Sequence, residues 1–171
     1  PPRSTGYMTL FPYTTLFRSK YLYDGKIIRD EYCRVGYVNQ FSQLEKNQNV
    51  TVFEYLSERF VKNQEETAIV CEEMASAEDM EAVFERYQAL LDQFQAMDGD
   101  NYETNIRKQL KLAGLSHLEQ LGISALSGGE YKLLQVIKEM LNQPQLLIMD
   151  EPDVFLDFEN LTGLRDLINS Y

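Results

Sequence analysis

The chain has 171 residues, 44% of them apolar and 25% charged, a balance that belongs to a globular domain rather than a disordered or collagen-like chain. Its 27 acidic residues outweigh 16 basic ones, and the net charge of −11 argues against coating a nucleic acid or lying on an anionic membrane through a basic patch. No run approaches the roughly 18 consecutive apolar residues that span a bilayer, and the N-terminus lacks the pattern of a secretory signal.

The first segment stands apart from the rest. Read back as codons, Thr9-Leu-Phe-Pro-Tyr-Thr-Thr-Leu-Phe-Arg-Ser19 resembles a translation of the universal adapter oligonucleotide of short-read DNA sequencing, and Pro1-Pro-Arg-Ser-Thr5 resembles an upstream part of it. Residues 1–19 are therefore set aside from fold and function, a natural aromatic-rich arm being the alternative. Taking Arg3 and Arg18 from the 16 basic residues leaves 14 against 27 acidic ones, a net charge of −13.

Further along, Asp24-Gly25 is a turn signal, and the β-prone runs Lys26-Ile27-Ile28 and Cys33–Val38 predict two short strands. Thr51 with Glu54 three residues on fits a capping box and predicts a helix from about Val52 to about Val61. From Met80, the residues Val83, Phe84, Tyr87, Leu90, Leu91, Phe94 and Met97 recur at three- and four-residue steps, one face of a helix ending near Asp98-Gly99. A further helix carries Tyr102, Ile106, Leu110 and Ala113 inward and stops at Gly114. On these stripes Met74, Met80 and Met97 read as core filling, and Glu65-Glu66 and Glu72-Glu73 as solvated faces.

After Gly122 comes Leu126-Ser-Gly-Gly-Glu130, followed by a helix with Leu133, Leu134, Val136, Ile137, Met140 and Leu141 inward and Pro144 past its end. Leu146-Leu147-Ile148-Met149 is a short continuous apolar run between Pro144 and Pro152, as expected of a parallel strand buried on both faces. Ligands of open parallel sheets bind beyond the strand carboxyl ends, where Asp150 and Glu151 stand. Cys33 and Cys71 are isolated and His117 is the single histidine, which excludes a His-rich metal site or histidine relay and fits a reduced, cytoplasmic setting.

Ser127-Gly128-Gly129 opens a helix, where backbone amides free of β-carbons can approach a phosphate. Ser127 with Glu130 is equally a second capping box. Taken in order, Gly36-Tyr-Val-Asn-Gln40, Leu126-Ser-Gly-Gly-Glu130, Leu146–Glu151 and Phe155-Leu156-Asp157 resemble the Q-loop, signature motif, Walker B motif and D-loop of ATP-binding cassette (ABC) ATPases. That resemblance implies an α/β P-loop NTPase-type cassette fragment, with an incomplete parallel core sheet and an α-helical subdomain. It implies the cofactors ATP and Mg²⁺, with Asp150 and Gln40 toward the metal and Glu151 polarising the attacking water. It further implies that Ser127, Gly128, Gly129 and Glu130 serve the ATP of an opposite, second ABC cassette, alongside Asp157.

The phosphate loop G-x-x-x-x-G-K-[ST] does not occur; Gly25-Lys26 is the nearest candidate, but Ile27 follows and Lys20 stands for the first glycine. The family's switch histidine belongs after the next strand, beyond Tyr171. The expected organisation is a single truncated ABC domain. It comprises 1–19 adapter-like, 20–48 partial ATPase core ending in the Q-loop, 49–143 helical subdomain with the signature motif, and 144–171 ATPase core with Walker B and D-loop.

Gln40 and Ser127 lie 87 positions apart, and this spacing with the text from Glu85 to Leu115 resembles the first cassette of ABC-F proteins, ribosome-acting twin-cassette ATPases. Asp153-Val154-Phe155 stands where the family usually has Thr-Asn-His. The expected partner is then the ribosome, reached through regions outside this chain, with no direct nucleic-acid binding by the acidic segment itself. The alternatives are an ATPase subunit of an ABC transporter and a catalytically inert fragment lacking the phosphate loop. Chromosome-maintenance ATPases share Leu-Ser-Gly-Gly-Glu but carry a far longer coiled-coil insertion.

Overall fold

The computed structural model describes residues 33–39, 49–154 and 156–171. The expected strand at Lys26–Ile28, the Asp24-Gly25 turn, the adapter-like residues 1–19, Gln40 and Phe155 lie outside the described residues. Compact structure divides at Tyr32, and everything below concerns the unit from Cys33 to Tyr171.

β1 (Val35–Val38) and β2 (Leu146–Met149) pair in parallel, Val35 beside Leu146 and Val38 beside Met149. The register is pinned at its start, where Arg34 donates from its backbone to Gln145 Oε1 at 2.6 Å and accepts from the Gln145 amide at 2.9 Å. The expectation of a strand buried on both faces needs correction: Leu146 is 49% exposed and Leu147, Ile148 and Met149 are half-buried. Among the described residues β2 has one strand neighbour, so its apolar run is only partly covered.

Between the strands lies a helical region. α1 (Val52–Glu73) opens on the expected capping box: Glu54 N–H donates to Thr51 Oγ1 at 3.2 Å and Thr51 N–H to Glu54 Oε2 at 2.7 Å. It runs twelve residues past the predicted end at Val61, because Asn63, a polar residue, occupies a buried turn of the stripe between Phe60 and Val70. Asn63 Nδ2 is satisfied there by the Leu90 carbonyl at 3.2 Å and Gln93 Oε1 at 3.4 Å.

Those partners belong to α2 (Met80–Ala96), which returns antiparallel to α1 and is tied to it near the hairpin tip by Arg86 to Glu73 at 2.8 Å. No α2 residue is fully buried, since the helix packs chiefly on α1. Met80 and Phe84, expected inward, are 53% and 52% exposed near the hairpin end, whereas Met97 is core.

α3 (Tyr102–Leu112) buries Ile106 and Leu110, and Tyr102 stacks on Phe60 with ring centroids 5.0 Å apart. It stops at Gly114, whose φ of +75° suits glycine; Leu115 N–H then reaches the Leu110 carbonyl at 2.8 Å and Gly114 N–H that of Lys111 at 3.2 Å.

α4 (Gly128–Met140) is buried nearly all round, and α5 (Phe158–Ser170) lies against it and α3. Gly163 of α5 permits a close approach to the end of α3, since a β-carbon there would sit 2.7 Å from the Ala113 carbonyl oxygen.

Candidate functional site

The signature run is held by two devices. Upstream, Ile123 N–H donates to the Val50 carbonyl at 3.0 Å and Val52 N–H to the Leu121 carbonyl at 2.9 Å, so the chain entering Leu126 is stapled to the start of α1. At Ser127 itself a second capping box forms, Glu130 N–H donating to Oγ at 3.2 Å and Ser127 N–H to Glu130 Oε2 at 2.7 Å. The Ser127 hydroxyl acts as acceptor in the cap, and its proton is not used by it.

The two glycines differ. Space beside Gly128 is open, with nothing within 4 Å of where a β-carbon would stand. At Gly129 that carbon would lie 2.6 Å from Asn160 Nδ2 and 3.5 Å from a Leu156 methyl. Gly128 therefore leaves its backbone accessible to a ligand, whereas Gly129 is where α4 meets the chain around Asp157. Asp157 caps α5, its Oδ1 accepting from Asn160 N–H at 2.8 Å.

The acidic pair sits at the carboxyl end of the sheet. Asp150 N–H donates to the Val38 carbonyl at 3.0 Å, extending the ladder by one residue, and Glu151 then turns left-handed with φ of 47°. A residue with a β-carbon held there stores strain of order 1 kcal/mol. Both carboxylates are half-buried.

Sequence reasoning missed Lys132. It is 7% exposed on α4, and its Nζ donates to the Asn39 carbonyl at 2.7 Å. Burial pulls its ammonium below the usual lysine value, and the charges of Asp150 and Glu151 push the other way. The available signal was its register: Lys132 shares a helix face with Val136 and Met140, both core.

The fold thus joins Ser127–Glu130, Asp157 and, through Lys132, the Asp150–Glu151 pair around α4. Among the described residues no three His, Cys, Asp or Glu side chains cluster as a metal cage, and no helix is long and apolar enough to cross a membrane.

The profile of the ABC transporter family matches residues 14–154, a span that begins inside the segment 1–19 set aside above. YdiF of Bacillus subtilis strain 168, named as an ATP-binding protein, is 35% identical over 94 residues, which are 54% of this chain and 15% of YdiF. YfmM of the same strain, an uncharacterized ABC transporter ATP-binding protein, is 25% identical over 156 residues, 86% of this chain and 29% of YfmM. The zinc import ATP-binding protein ZnuC of Photorhabdus laumondii is 40% identical over 65 residues, 38% of this chain and 25% of ZnuC. The chain spans less than a third of the length of each of these relatives.

Proposed function

The chain belongs to the ABC transporter family, and on that premise we propose that it supplies the hydrolytic carboxylates of one ATP site and the signature edge of another in the ATP-driven part of a transporter. The observation that carries this reading is the position of Asp150 and Glu151, at the carboxyl end of a parallel strand pair, where α/β proteins bind ligands. Glu151 orients the attacking water and takes up its proton. Asp150 would hold Mg²⁺, with Gln40, which lies outside the described residues, as the second ligand that the resemblance assigns. That ion asks for only one or two carboxylates and fills its shell with waters and phosphates, so the single carboxylate of Asp150 suits it and leaves Glu151 for the water. When bound, the ion would supply charge neutralisation to the phosphates of ATP.

Ser127, Gly128, Gly129 and Glu130 form the edge offered to a second cassette, with Asp157 beside it. The Ser127 hydroxyl proton and the open backbone at Gly128 are the groups that meet a phosphate. Lacking a G-x-x-x-x-G-K-[ST] loop, the 171 residues alone neither bind ATP tightly nor hydrolyse it.

The transporter reading draws its support from the names of YfmM and ZnuC. The ribosome-acting ABC-F reading has one feature in its favour, the hairpin of 22- and 17-residue helices between β1 and the signature run. Sedimentation of the whole protein carrying Glu151→Gln, with ATP, separates the two. Recovery with a membrane-embedded partner supports transport, and recovery with ribosomes replaces it with ABC-F.

A further inference from the structure

α4 buries a charge where an apolar residue would fill the same turn without loss of hydration. Lys132 is 7% exposed with Val136 and Met140 on its face, and its ammonium donates to the Asn39 carbonyl 2.7 Å away. Asn39 is the first residue past β1. Across the sheet Val38 pairs with Met149, and the Asp150 amide donates to the Val38 carbonyl, so Asn39 and Asp150 leave the sheet side by side. A buried ammonium is costly unless it is hydrogen-bonded and faced by opposite charge, and both conditions hold here.

Resting on the ATPase reading above, we propose that Lys132 is a positioning residue. Its ammonium ties the helix that begins at Ser127-Gly128-Gly129 to the strand exit at Asn39, next to Gln40 in sequence and beside Asp150 across the sheet. The signature edge of one site and the hydrolytic carboxylates of the other then shift as one body. Gly129, which meets Asn160, and Lys132, which meets Asn39, stand three residues apart in the first turns of α4, so that start of the helix contacts both the α5 side and the strand exit.

Two measurements test this. In the 171-residue chain, the Lys132 ammonium protons should be slowed in exchange and show a through-hydrogen-bond NMR coupling to the Asn39 carbonyl carbon. A fast-exchanging ammonium without that coupling overturns the proposal, whatever the variants do. In the whole protein, Lys132→Met keeps the buried stem and removes the charge. It should lower kcat for ATP hydrolysis at least ~10-fold, as loss of alignment does, while KM for ATP stays within about twofold. Lys132→Arg, still a donor to the same carbonyl, should recover most of the rate. An unchanged kcat, or a loss that arginine leaves unrepaired, also overturns it. A whole protein that hydrolyses no ATP before any substitution refutes the ATPase reading instead, and the NMR coupling still decides whether the tie exists.

Discussion

A β-carbon on Gly129 would stand 2.6 Å from the side-chain nitrogen of Asn160, so the second glycine of the signature run is a packing contact between α4 and α5. Asn160 is buried, which leaves its side chain little room to withdraw. At Gly163 the obstacle is the Ala113 backbone, which can yield even less, and at Gly128 there is none.

Chemical denaturation of the alanine variants should therefore rank them. Gly163→Ala loses the most stability, Gly129→Ala loses about 1–3 kcal/mol from overpacking, and Gly128→Ala changes it by less than about 0.5 kcal/mol. Asn160→Ala in the Gly129→Ala background should restore part of the loss. A Gly128→Ala variant as unstable as Gly129→Ala would contradict the assignment of different duties to the two glycines.

Glu151 stands at φ of 47°, which a β-carbon resists and glycine does not. Glu151→Gly should be more stable to urea than Glu151→Ala by about 1 kcal/mol, although both lack the carboxylate. Equal stabilities would show that the turn after Asp150 is not left-handed in solution.

How far the sequence foretold this arrangement varied with how local the cause was. α4 was legible because its apolar spacing is bracketed by Ser127 and Pro144, and both capping boxes are contained within four residues. The end of α1 was not, since Asn63 reads as polar surface until Leu90, distant in sequence, supplies its acceptor. The division of labour between Gly128 and Gly129 depends on Asn160, and the value of Lys132 on Asn39, contacts that no local pattern encodes. β2 misled because an apolar run records what a strand can bury, whereas its neighbours decide what is covered.

Stability should carry an acid limb from the α1 cap. The Thr51 backbone and hydroxyl hydrogen bonds hold the Glu54 carboxyl below its ordinary 4.5, and Asn101 and Asn105 hold Asp98 below its ordinary 3.8. A carboxyl whose folded value is depressed contributes fully above its unfolded value, and the contribution is lost as pH falls through the folded one. Denaturation midpoints should thus fall as pH drops below about 4.5, and Glu54→Gln should flatten the upper part of that limb and leave the Asp98 part. An identical pH profile in Glu54→Gln would contradict the cap's role.

Thr51→Ala and Ser127→Ala should each lower stability by about 1 kcal/mol, the usual loss of an N-cap, and Thr51→Ser should not. Thermal unfolding checks this, and a neutral Thr51→Ala would mean that α1 is held by its packing alone.

The role of Glu151 is the claim on which the functional account stands. It is tested most directly by single-turnover ATP hydrolysis in the whole protein with Glu151 replaced by glutamine. ATP should remain bound while the hydrolytic rate falls at least ~100-fold, the low end of what a general base contributes. A rate unchanged by the substitution would contradict it and remove Glu151 from the chemistry.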